Sequence, residues 1–365
     1  MKVIVSQSEL ASLSRKIQNI VPSNPSIPTL VNVLLEAVND ELILSATDLS
    51  LSIQAHISAE VLEEGSIALP AKKFIPLILE LTSPLLEIHT SGASATIHSG
   101  SSKFKIQGIS KQEYPEISDL PESSKFSLHA LVLKELLAKT SFAAGKDEQR
   151  PLLNSVLLEC DETRAIFTGT DGRRLAKAQI LTKEAINVLG SFILPIKTVD
   201  EIIRLLDAKE EEISLNLTAE KLSLKIGSTT LISQLLSGQY PDVSRIIPHS
   251  HNSPVALHRE ELITLLRQVS LFTADRSTSV KFAFTPGNLN LSAASGHIGE
   301  GDVNMPVNYQ GEPLEIAFNP HYFLDILRHS KDEIIFFEIE NAHNPGLITD
   351  SSQAIFVLMP MRLGT

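Results

Sequence analysis

Apolar residues recur at helical spacing in six stretches of this chain, and the stretches come in three pairs. In the first stretch, Leu10, Leu13, Ile17 and Ile20 fall on one face of a helix, and polar residues occupy the other face. Such a pattern is typical of helices that pack one side against a core. It predicts helices at 8–21, 71–82, 129–142, 197–209, 258–269 and 320–331.

Between the helices, apolar and polar residues alternate, which predicts antiparallel strands with one buried face. The clearest segment is Ala165–Ile180, where two alternating stretches flank Asp171 and Gly172. An Asp-Gly pair favours a tight turn because glycine tolerates positive φ. The segment therefore predicts a β-hairpin, and by itself the Asp-Gly pair indicates no more than a turn.

The hairpin pattern occurs three times along the chain. Leu42–Ile53 and Leu289–Ile298 repeat it, so that Asp48, Asp171 and Ser295 stand in register at spacings of 123 and 124 residues. The paired helices repeat at nearly the same spacing. Repeats of this length are too long for a solenoid, whose units have roughly 20–50 residues, and long enough to fold singly.

The repeat divides the sequence into three predicted domains, each with two helices and roughly eight strands. Tyr114-Pro-Glu-Ile closes the first unit and Tyr240-Pro-Asp-Val closes the second, and each is followed by a segment rich in proline and serine. The third unit ends instead at Met359-Pro-Met-Arg-Leu363. The predicted boundaries are 1–122, 123–250 and 251–365.

Composition is that of an ordinary globular protein, with 43% hydrophobic and 20% charged residues in 365. The single cysteine, Cys160, excludes an internal disulfide framework and a multi-cysteine metal site, and its leucine neighbours favour a buried thiol. The N-terminus lacks the apolar segment of a signal peptide, and no apolar run approaches the roughly 18 residues of a membrane span. A cytoplasmic protein without a membrane partner is expected.

The net charge of −12 argues against a protein that binds nucleic acid through overall positive charge. The six predicted helices nevertheless carry thirteen Lys or Arg residues against nine Asp or Glu residues. Basic residues on solvated helix faces are common in proteins of every kind. A concave basic surface that attracts a polyanion is the other interpretation, and composition leaves both open.

No pattern of catalytic or metal-binding residues is present in the sequence. Gly296–Gly301 has the reverse of the dinucleotide-binding spacing and does not open a helix, so it is interpreted as a loop. His249 and His251 lie in a linker without supporting carboxylates. The three repeats share their apolar pattern but no acid, base or nucleophile, so we expect no cofactor, no metal and no catalysis.

Taken together, the threefold repeat, Thr170–Ala176, the Tyr-Pro-Asp motif and Met359–Leu363 resemble the bacterial sliding clamp, the beta subunit of DNA polymerase III. The resemblance covers the whole chain. It implies an α+β DNA clamp fold: three similar domains, each with two helices packed on antiparallel sheets, closing into a six-domain dimeric ring. It also implies a function without chemistry, in which the ring encircles duplex DNA and tethers the replicative polymerase for processive synthesis.

The same resemblance implies three sets of binding residues. Short peptides of the polymerase alpha subunit, the clamp loader and repair polymerases would enter a pocket formed by Leu153, Thr170, Gly172, Arg173, Arg174, Leu175, Pro241, Arg245, Ile246, Tyr322, Val357, Met359, Pro360, Met361 and Arg362. Sequence-independent contacts to duplex DNA would come from Arg15, Lys16, Lys72, Lys73, Lys134, Lys146, Arg150, Lys197 and Arg204. The head-to-tail homodimer would form through Phe104, Ile106, Leu271 and Phe272.

Three positions depart from the family pattern. Asn24 stands where members often carry arginine, Ser277 where some carry an aromatic residue, and Gly364-Thr365 extends past the usual end. They put in doubt one DNA contact, one wall of the pocket and its rim.

Two other functions stay open on the residues alone. One is an enzyme that uses Asp171 and Arg174 at a domain boundary, although the equivalent Asp48 argues against a unique catalytic residue. The other is a repeat scaffold that binds proteins without encircling DNA.

Overall fold

The computed structural model describes residues 1–118, 120, 125–182, 186–206, 212–248, 254–273, 278–296 and 298–362. The chain is α+β and forms two compact units by its internal contacts. Unit 1 comprises 1–131 and 204–235, and unit 2 comprises 132–203 and 236–365. The predicted domain ends at 122 and 250 fall outside the described residues and stay predictions. No described helix is both long and apolar enough to cross a membrane.

The first third of the chain alternates short strands with two helices. In chain order it contains β1 (Lys2–Ser6), α1 (Gln7–Ile17), β2 (Asn32–Val38), β3 (Glu41–Thr47), β4 (Leu51–Ser58), β5 (Glu60–Glu63), β6 (Gly65–Pro70), α2 (Ala71–Glu80), β7 (Leu85–Ser91), β8 (Ser94–Ser99) and β9 (Ser102–Gln107).

The other two thirds repeat this order without an equivalent of β5 among the described residues. The second contains β10 (Lys125–His129), α3 (Ala130–Ser141), β11 (Ser155–Cys160), β12 (Arg164–Thr170), β13 (Arg174–Leu181), β14 (Gly190–Pro195), α4 (Ile196–Leu205), β15 (Glu212–Leu217), β16 (Lys221–Ile226) and β17 (Thr229–Gln234). The third contains β18 (Val255–His258), α5 (Arg259–Ser270), β19 (Val280–Thr285), β20 (Asn288–Ser295), β21 (Gly299–Pro306), β22 (Leu314–Phe318), α6 (Pro320–His329), β23 (Ile334–Glu338), β24 (Gly346–Thr349) and β25 (Ile355–Leu358).

All six predicted helices are present, and several end earlier than the apolar pattern indicates. α1 stops at Ile17 rather than 21, and the chain continues in a turn over 18–20, where the Ile20 amide donates to the Ile17 carbonyl. α2 stops at Glu80, where Leu81 is already extended, and α6 stops at His329 before the extended Ser330. α4 ends at Leu205, and the predicted residues 207–209 lie outside the described residues.

In unit 1 the strands form two antiparallel sheets. One has eight strands in the order β10-β15-β16-β17-β4-β3-β2-β6, and the other has five in the order β5-β1-β7-β8-β9. The eight-stranded sheet joins strands from two repeats through β17 and β4, where Leu231 lies opposite Ile53. The five-stranded sheet ends at β9, whose outer edge has no strand beside it within the described residues.

The sheets of unit 2 follow the same plan. Eight strands run in the order β14-β11-β12-β13-β25-β24-β23-β18, and the join between repeats is β13 with β25, where Ala176 lies opposite Phe356. The remaining four strands form the sheet β21-β20-β19-β22. β21 therefore ends a sheet without a neighbouring strand among the residues that the structure covers.

Helices cover one face of these sheets and supply the core. In unit 1, α1 buries Leu10, Leu13 and Ile17, and α2 buries Phe74 and Ile78. In unit 2, an aromatic cluster joins α6 to the strands, with ring centroids of Phe282, Phe318, Phe323 and Phe337 5.2–6.2 Å apart. The apolar stripes that predicted the helices are thus the faces turned inward.

The interpretation of Gly296–Gly301 as a loop is wrong for its second half. β21 begins at Gly299, and a Cβ at Gly301 would lie only 2.4 Å from the ring of Phe272. Gly301 makes room for an aromatic side chain on the strand surface, which a spacing pattern in the sequence does not reveal.

Gly169 on β12 allows a helix to approach the sheet closely. A Cβ at this position would stand 2.2 Å from the carbonyl oxygen of Thr140, near the end of α3, and main-chain atoms there cannot rotate away. The close approach therefore depends on the absence of a side chain.

We expect Gly169→Ala to lower stability by roughly 2 kcal/mol, since overpacking forces the helix away from the sheet. The thermal midpoint should fall by about 5 °C for a unit of this size. Gly296→Ala is the matched control, because its added methyl group would meet no atom within 4 Å. Equal midpoints for the two variants would contradict the close-approach argument.

Candidate functional site

The turn of the β12–β13 hairpin is held by its own polar side chains. The Thr170 hydroxyl donates to the Arg174 carbonyl at 2.6 Å and accepts from the Gly172 amide at 3.1 Å. Asp171 Oδ1 accepts from the amides of Arg173 and Arg174 at 2.9 and 3.0 Å. With Gly172 at φ 83°, this network gives the turn a defined shape and directs Arg173 outward and Arg174 inward.

The first repeat builds the same turn from Thr47 and Asp48. Thr47 Oγ1 donates to the Leu51 carbonyl, and Asp48 Oδ1 accepts from the amides of Ser50 and Leu51. Asp171 and Asp48 therefore have the same structural role, in which the carboxylate accepts hydrogen bonds from the turn amides. This shared role argues against a catalytic role for Asp171.

Arg174 ties the hairpin to α6. Its side chain is 7% exposed, and its Nε and Nη1 lie 3.0 Å from Asp171 Oδ2 and 2.7 Å from Asp325 Oδ2. Its guanidinium carbon lies 4.5 Å from the ring centroid of Tyr322 and 5.6 Å from that of Phe142. Paired carboxylates and aromatic faces stabilise a buried guanidinium. Arg174 with Asp171 and Asp325, called the Arg174 clamp below, therefore joins the hairpin to α6 within the chain.

An apolar cluster lies beside this clamp, on the face of the sheet away from the helices. Leu175 and Val357 pair across the β13–β25 join, and Leu347 on β24 pairs with Val357. All three are buried, and the partly buried side chains packed against them are Val243, Ile246, Ile247 and Ile355. Leu175, Ile246 and Val357 are predicted pocket residues. Leu347 and Ile355 were missed because only strand pairing brings them here. Val243 and Ile247 were also missed, although they flank the predicted Ile246 in sequence.

The Tyr-Pro-Asp segment anchors one side of this cluster. Tyr240 is buried with Leu157 and Ile193, its hydroxyl donates to the Thr168 carbonyl at 3.4 Å, and burial raises its pKa. Val243 packs against both this cluster and that of Leu175, which places Pro241, Arg245 and Ile246 at the rim.

Next to the buried tyrosine, the polar residues at the rim are exposed. The hydroxyl and amide of Ser244 lower the pKa of Asp242, so this carboxylate is charged at neutral pH. Arg245 is largely exposed and lies 3.4 Å from Asp242 Oδ2, a contact that solvent weakens.

The C-terminal segment is held by the sheet rather than frayed. The Met359 amide donates to the Arg173 carbonyl at 3.0 Å, and the Met361 amide donates to the Ala317 carbonyl at 2.7 Å. The Met359 side chain remains 38% exposed, Pro360 and Met361 are half-buried, and Arg362 is exposed. Gly364 and Thr365, like Ser277, lie outside the described residues.

A cavity of about 470 Å³ opens on the other side of the Arg174 clamp. Its walls include residues from both the predicted peptide pocket and the predicted DNA-facing set. They are Leu153, Arg173, Arg174 and Tyr322 from the first set and Lys146 and Arg150 from the second.

The other predicted DNA-facing residues lie on helices, and all but Lys134 are at a helix end. Lys72 and Lys73 occupy the exposed first turn of α2, as Lys197 does in α4, and Lys134 lies partly exposed on α3. Arg15 and Lys16 end α1, where the guanidinium of Arg204 donates to both of their carbonyls. Lys72 Nζ donates to the Ser23 carbonyl at 3.4 Å, beside the exposed Asn24.

The four predicted interface residues lie on or beside β9 and β21, two strands that each end a sheet within the described residues. Phe104 and Ile106 are on β9, and Phe104 is 36% exposed. Leu271, 74% exposed, and Phe272 follow α5, and Phe272 packs on β21 at Gly299 and Gly301.

Within the described part of the chain, no group of three or more His, Cys, Asp and Glu side chains could hold a metal ion. Cys160 is buried, and burial raises the pKa of its thiol to about 12, so it is not a thiolate at neutral pH.

The chain matches family models along almost its whole length. Residues 1–118, 127–242 and 244–362 match the N-terminal, central and C-terminal domains of the DNA polymerase III beta subunit. It is 48% identical over 364 residues to the beta sliding clamp of Chlamydia pneumoniae, covering 100% of this chain and 99% of that protein. The beta sliding clamp of Caulobacter vibrioides is 29% identical, with both chains fully covered.

Solved structures agree with the sequence matches. The DNA polymerase III beta subunit of Pseudomonas aeruginosa superimposes with a TM-score of 0.95 at 26% identity, over 100% of both chains. The sliding clamp of Bartonella birtlesii bound to griselimycin gives 0.94 at 28% identity, again over 100% of both chains. The chain therefore belongs to the family of the DNA polymerase III beta subunit, the bacterial beta sliding clamps.

Proposed function

We propose that this protein closes head to tail with a second copy into a six-domain ring that encircles duplex DNA and tethers the replicative polymerase. The ring has no catalytic role, and it would work in the cytoplasm, on chromosomal DNA. Family membership supports the sliding clamp itself. The observation that carries the closure is that β9 and β21 each end a sheet within the described residues, while the chain joins the equivalent strands of other repeats twice.

Each internal join pairs the last strand of one repeat with the second hairpin strand of another. These pairs are β17 with β4 and β25 with β13. Among the described residues, β9 and β21 are the strands of the same two kinds that have a neighbouring strand on one side only. An unpaired strand edge exposes hydrogen-bonding groups that a matching edge can satisfy. In a head-to-tail dimer, β9 of each copy would pair with β21 of the other copy. Two identical β9–β21 joins would therefore close the ring.

The internal joins also supply a register for the proposed interface. Leu231 lies opposite Ile53 in one join, and Phe356 lies opposite Ala176 in the other. Strand pairing within the repeats makes Phe104 equivalent to Leu231 and Phe356, and Gly301 equivalent to Ile53 and Ala176. The same register in the β9–β21 join places Phe104 opposite Gly301 and Ile106 opposite Gly299. Directly opposite residues point to the same face of a sheet, so Phe104 would pack beside Phe272, which already lies over both glycines.

On the opposite face, the same register pairs opposite charges. Lys103 would face Asp302, and Lys105 would face Glu300, all of which are exposed in the single chain. Exposed ion pairs contribute about 0.2–1 kcal/mol each. They would select the register more than they would strengthen the dimer, because a shift by one residue would invert both faces of the join.

Lysines in the first turns of helices support the proposed contact with DNA. Lys72 and Lys73 stand in the first turn of α2, where the helix dipole disfavours cations and Pro70 provides no side-chain cap. The first amides of a helix have no acceptor within that helix, so together with nearby lysines they suit a phosphate oxygen. With a net charge of −12, the remaining surface repels DNA, so contacts through these residues would be weak and indifferent to sequence.

For partner peptides, the support is the apolar cluster of Leu175, Leu347 and Val357 beside the exposed Met359. Methionine adapts to different apolar side chains, which suits a site shared by the polymerase alpha subunit, the clamp loader and repair polymerases. Arg245 and Arg362 are exposed at the rim and can bind polar groups of a peptide. Arg174 would contribute through the shape that its ion pairs maintain.

We expect Lys103→Glu with Lys105→Glu to weaken the dimer roughly tenfold or more, since like charges would face each other across the join. Adding Glu300→Lys and Asp302→Lys should restore the wild-type dimer. Sedimentation at several concentrations measures both. Lys281→Glu, at the Glu315 ion pair away from β21, is the control. A quadruple variant no tighter than the double variant would refute the register.

We expect Lys72→Ala with Lys73→Ala to shorten the residence time of the protein on closed circular DNA. The slope of log binding constant against log salt concentration should become shallower by about 0.9 per lost phosphate contact. Lys281→Ala should leave both unchanged. Linearising the DNA should release wild-type protein, whatever the DNA sequence. Equal retention on linear and circular DNA would favour the alternative, a protein-binding scaffold that does not encircle DNA.

We expect deletion of residues 361–365 to abolish binding of a polymerase tail peptide while the dimer persists, because the Met361–Ala317 hydrogen bond and the pocket rim are lost together. Fluorescence anisotropy with a labelled peptide measures the loss. Deletion of Gly364 and Thr365 alone is the matched control. Unchanged affinity after the longer deletion would exclude this pocket.

A further inference from the structure

The outer face of β23 exposes two large apolar side chains. Strand residues alternate between faces, and Ile335 and Phe337 are fully buried toward the helices. Ile334 and Phe336, on the other face, are 43% and 41% exposed. Both side chains belong to unit 2.

The repeat shows that the fold does not require apolar residues at these positions. β7, β15 and β23 pair in the same register with β1, β10 and β18, each just before a helix. Ile334 is therefore equivalent to Leu85 and Glu212. Phe336 is equivalent to Glu87 and Ser214. Two of the three repeats place polar residues where the third places phenylalanine.

The exposed pair lies on the same sheet face as the apolar cluster of the proposed pocket, with Phe336 diagonal to Leu347. Val357, Leu347 and Glu338 form one row across β25, β24 and β23, and Ile355, Thr349 and Phe336 form the next row on the same face. Rows lie about 7 Å apart along a strand and neighbouring strands about 4.8 Å apart. Phe336 is thus roughly 12 Å from Val357, a distance that about four residues of extended chain can span.

We propose that this strip, Ile355, Phe336 and Ile334, is a second docking surface for the peptide that occupies the pocket. It would bind an apolar side chain, aromatic or aliphatic, located about four to six residues from the pocket anchor. The inference rests on the proposed peptide-binding function. Continuity with the pocket cluster is the reason for choosing this occupant over an unrelated protein.

The test replaces both side chains with those of the second repeat, Ile334→Glu and Phe336→Ser. The equivalent strand of this chain carries these residues, so folding should persist, and a thermal melt verifies it. The probes are two peptides from the polymerase of the same organism, one limited to the docking motif and one extended by eight residues at each end. Leu85→Glu, at the equivalent exposed position of the first repeat, is the matched control.

The extended peptide should bind wild-type protein more tightly than the short one, and the double variant should lose roughly tenfold of that affinity, as burying an aromatic anchor would give. The short peptide should bind wild type, double variant and control alike. Equal wild-type affinities for the two peptides would overturn the inference and leave the pocket intact. Failure of both peptides to bind wild type would refute the proposed function itself. A change of oligomeric state in the double variant would assign the strip to a second copy and overturn the inference.

Discussion

Backbone hydrogen bonding at strand edges is the constraint on which this structure depends. Each repeat contributes strands that cannot satisfy their outer amides and carbonyls alone, and the chain solves this twice by pairing the last strand of one repeat with a hairpin strand of another. Among the described strands of these two kinds, β9 and β21 are the ones that lie at the end of a sheet with no such join. These two strands are therefore equivalent to strands that already pair with each other inside the chain.

The same joins create the candidate binding site. Leu175 and Val357 come from strands far apart in sequence, and they meet only because β13 pairs with β25. Arg174 follows the hairpin turn directly, and its ion pair with Asp325 holds that join against α6. The hairpin turn positions Arg174, and the long-range strand pairing positions its neighbour Leu175. The ion-paired Arg174 therefore lies beside an apolar surface with Met359 at its rim.

The net charge and the local charge lead to different expectations about DNA binding, and the positions of the lysines explain the difference. An overall charge of −12 opposes nonspecific coating by nucleic acid, while Lys72, Lys73 and Lys197 stand at helix starts, where phosphate is the anion best accommodated. A protein that must slide benefits from weak contacts of this kind, since tight or sequence-specific binding would stop it.

The sequence by itself determined the six helices, the threefold repeat and the Asp171 turn, because each depends on periodicity or side-chain chemistry within a few residues. Tertiary structure decided which strands pair, and so decided that Leu347 joins the cluster and that Arg174 binds Asp325. It also turned Gly299 and Gly301 into strand residues beneath Phe272, and it left Phe336 exposed. Register between distant strands arises from packing of the whole sheet, and no local pattern specifies which of several similar edges will meet.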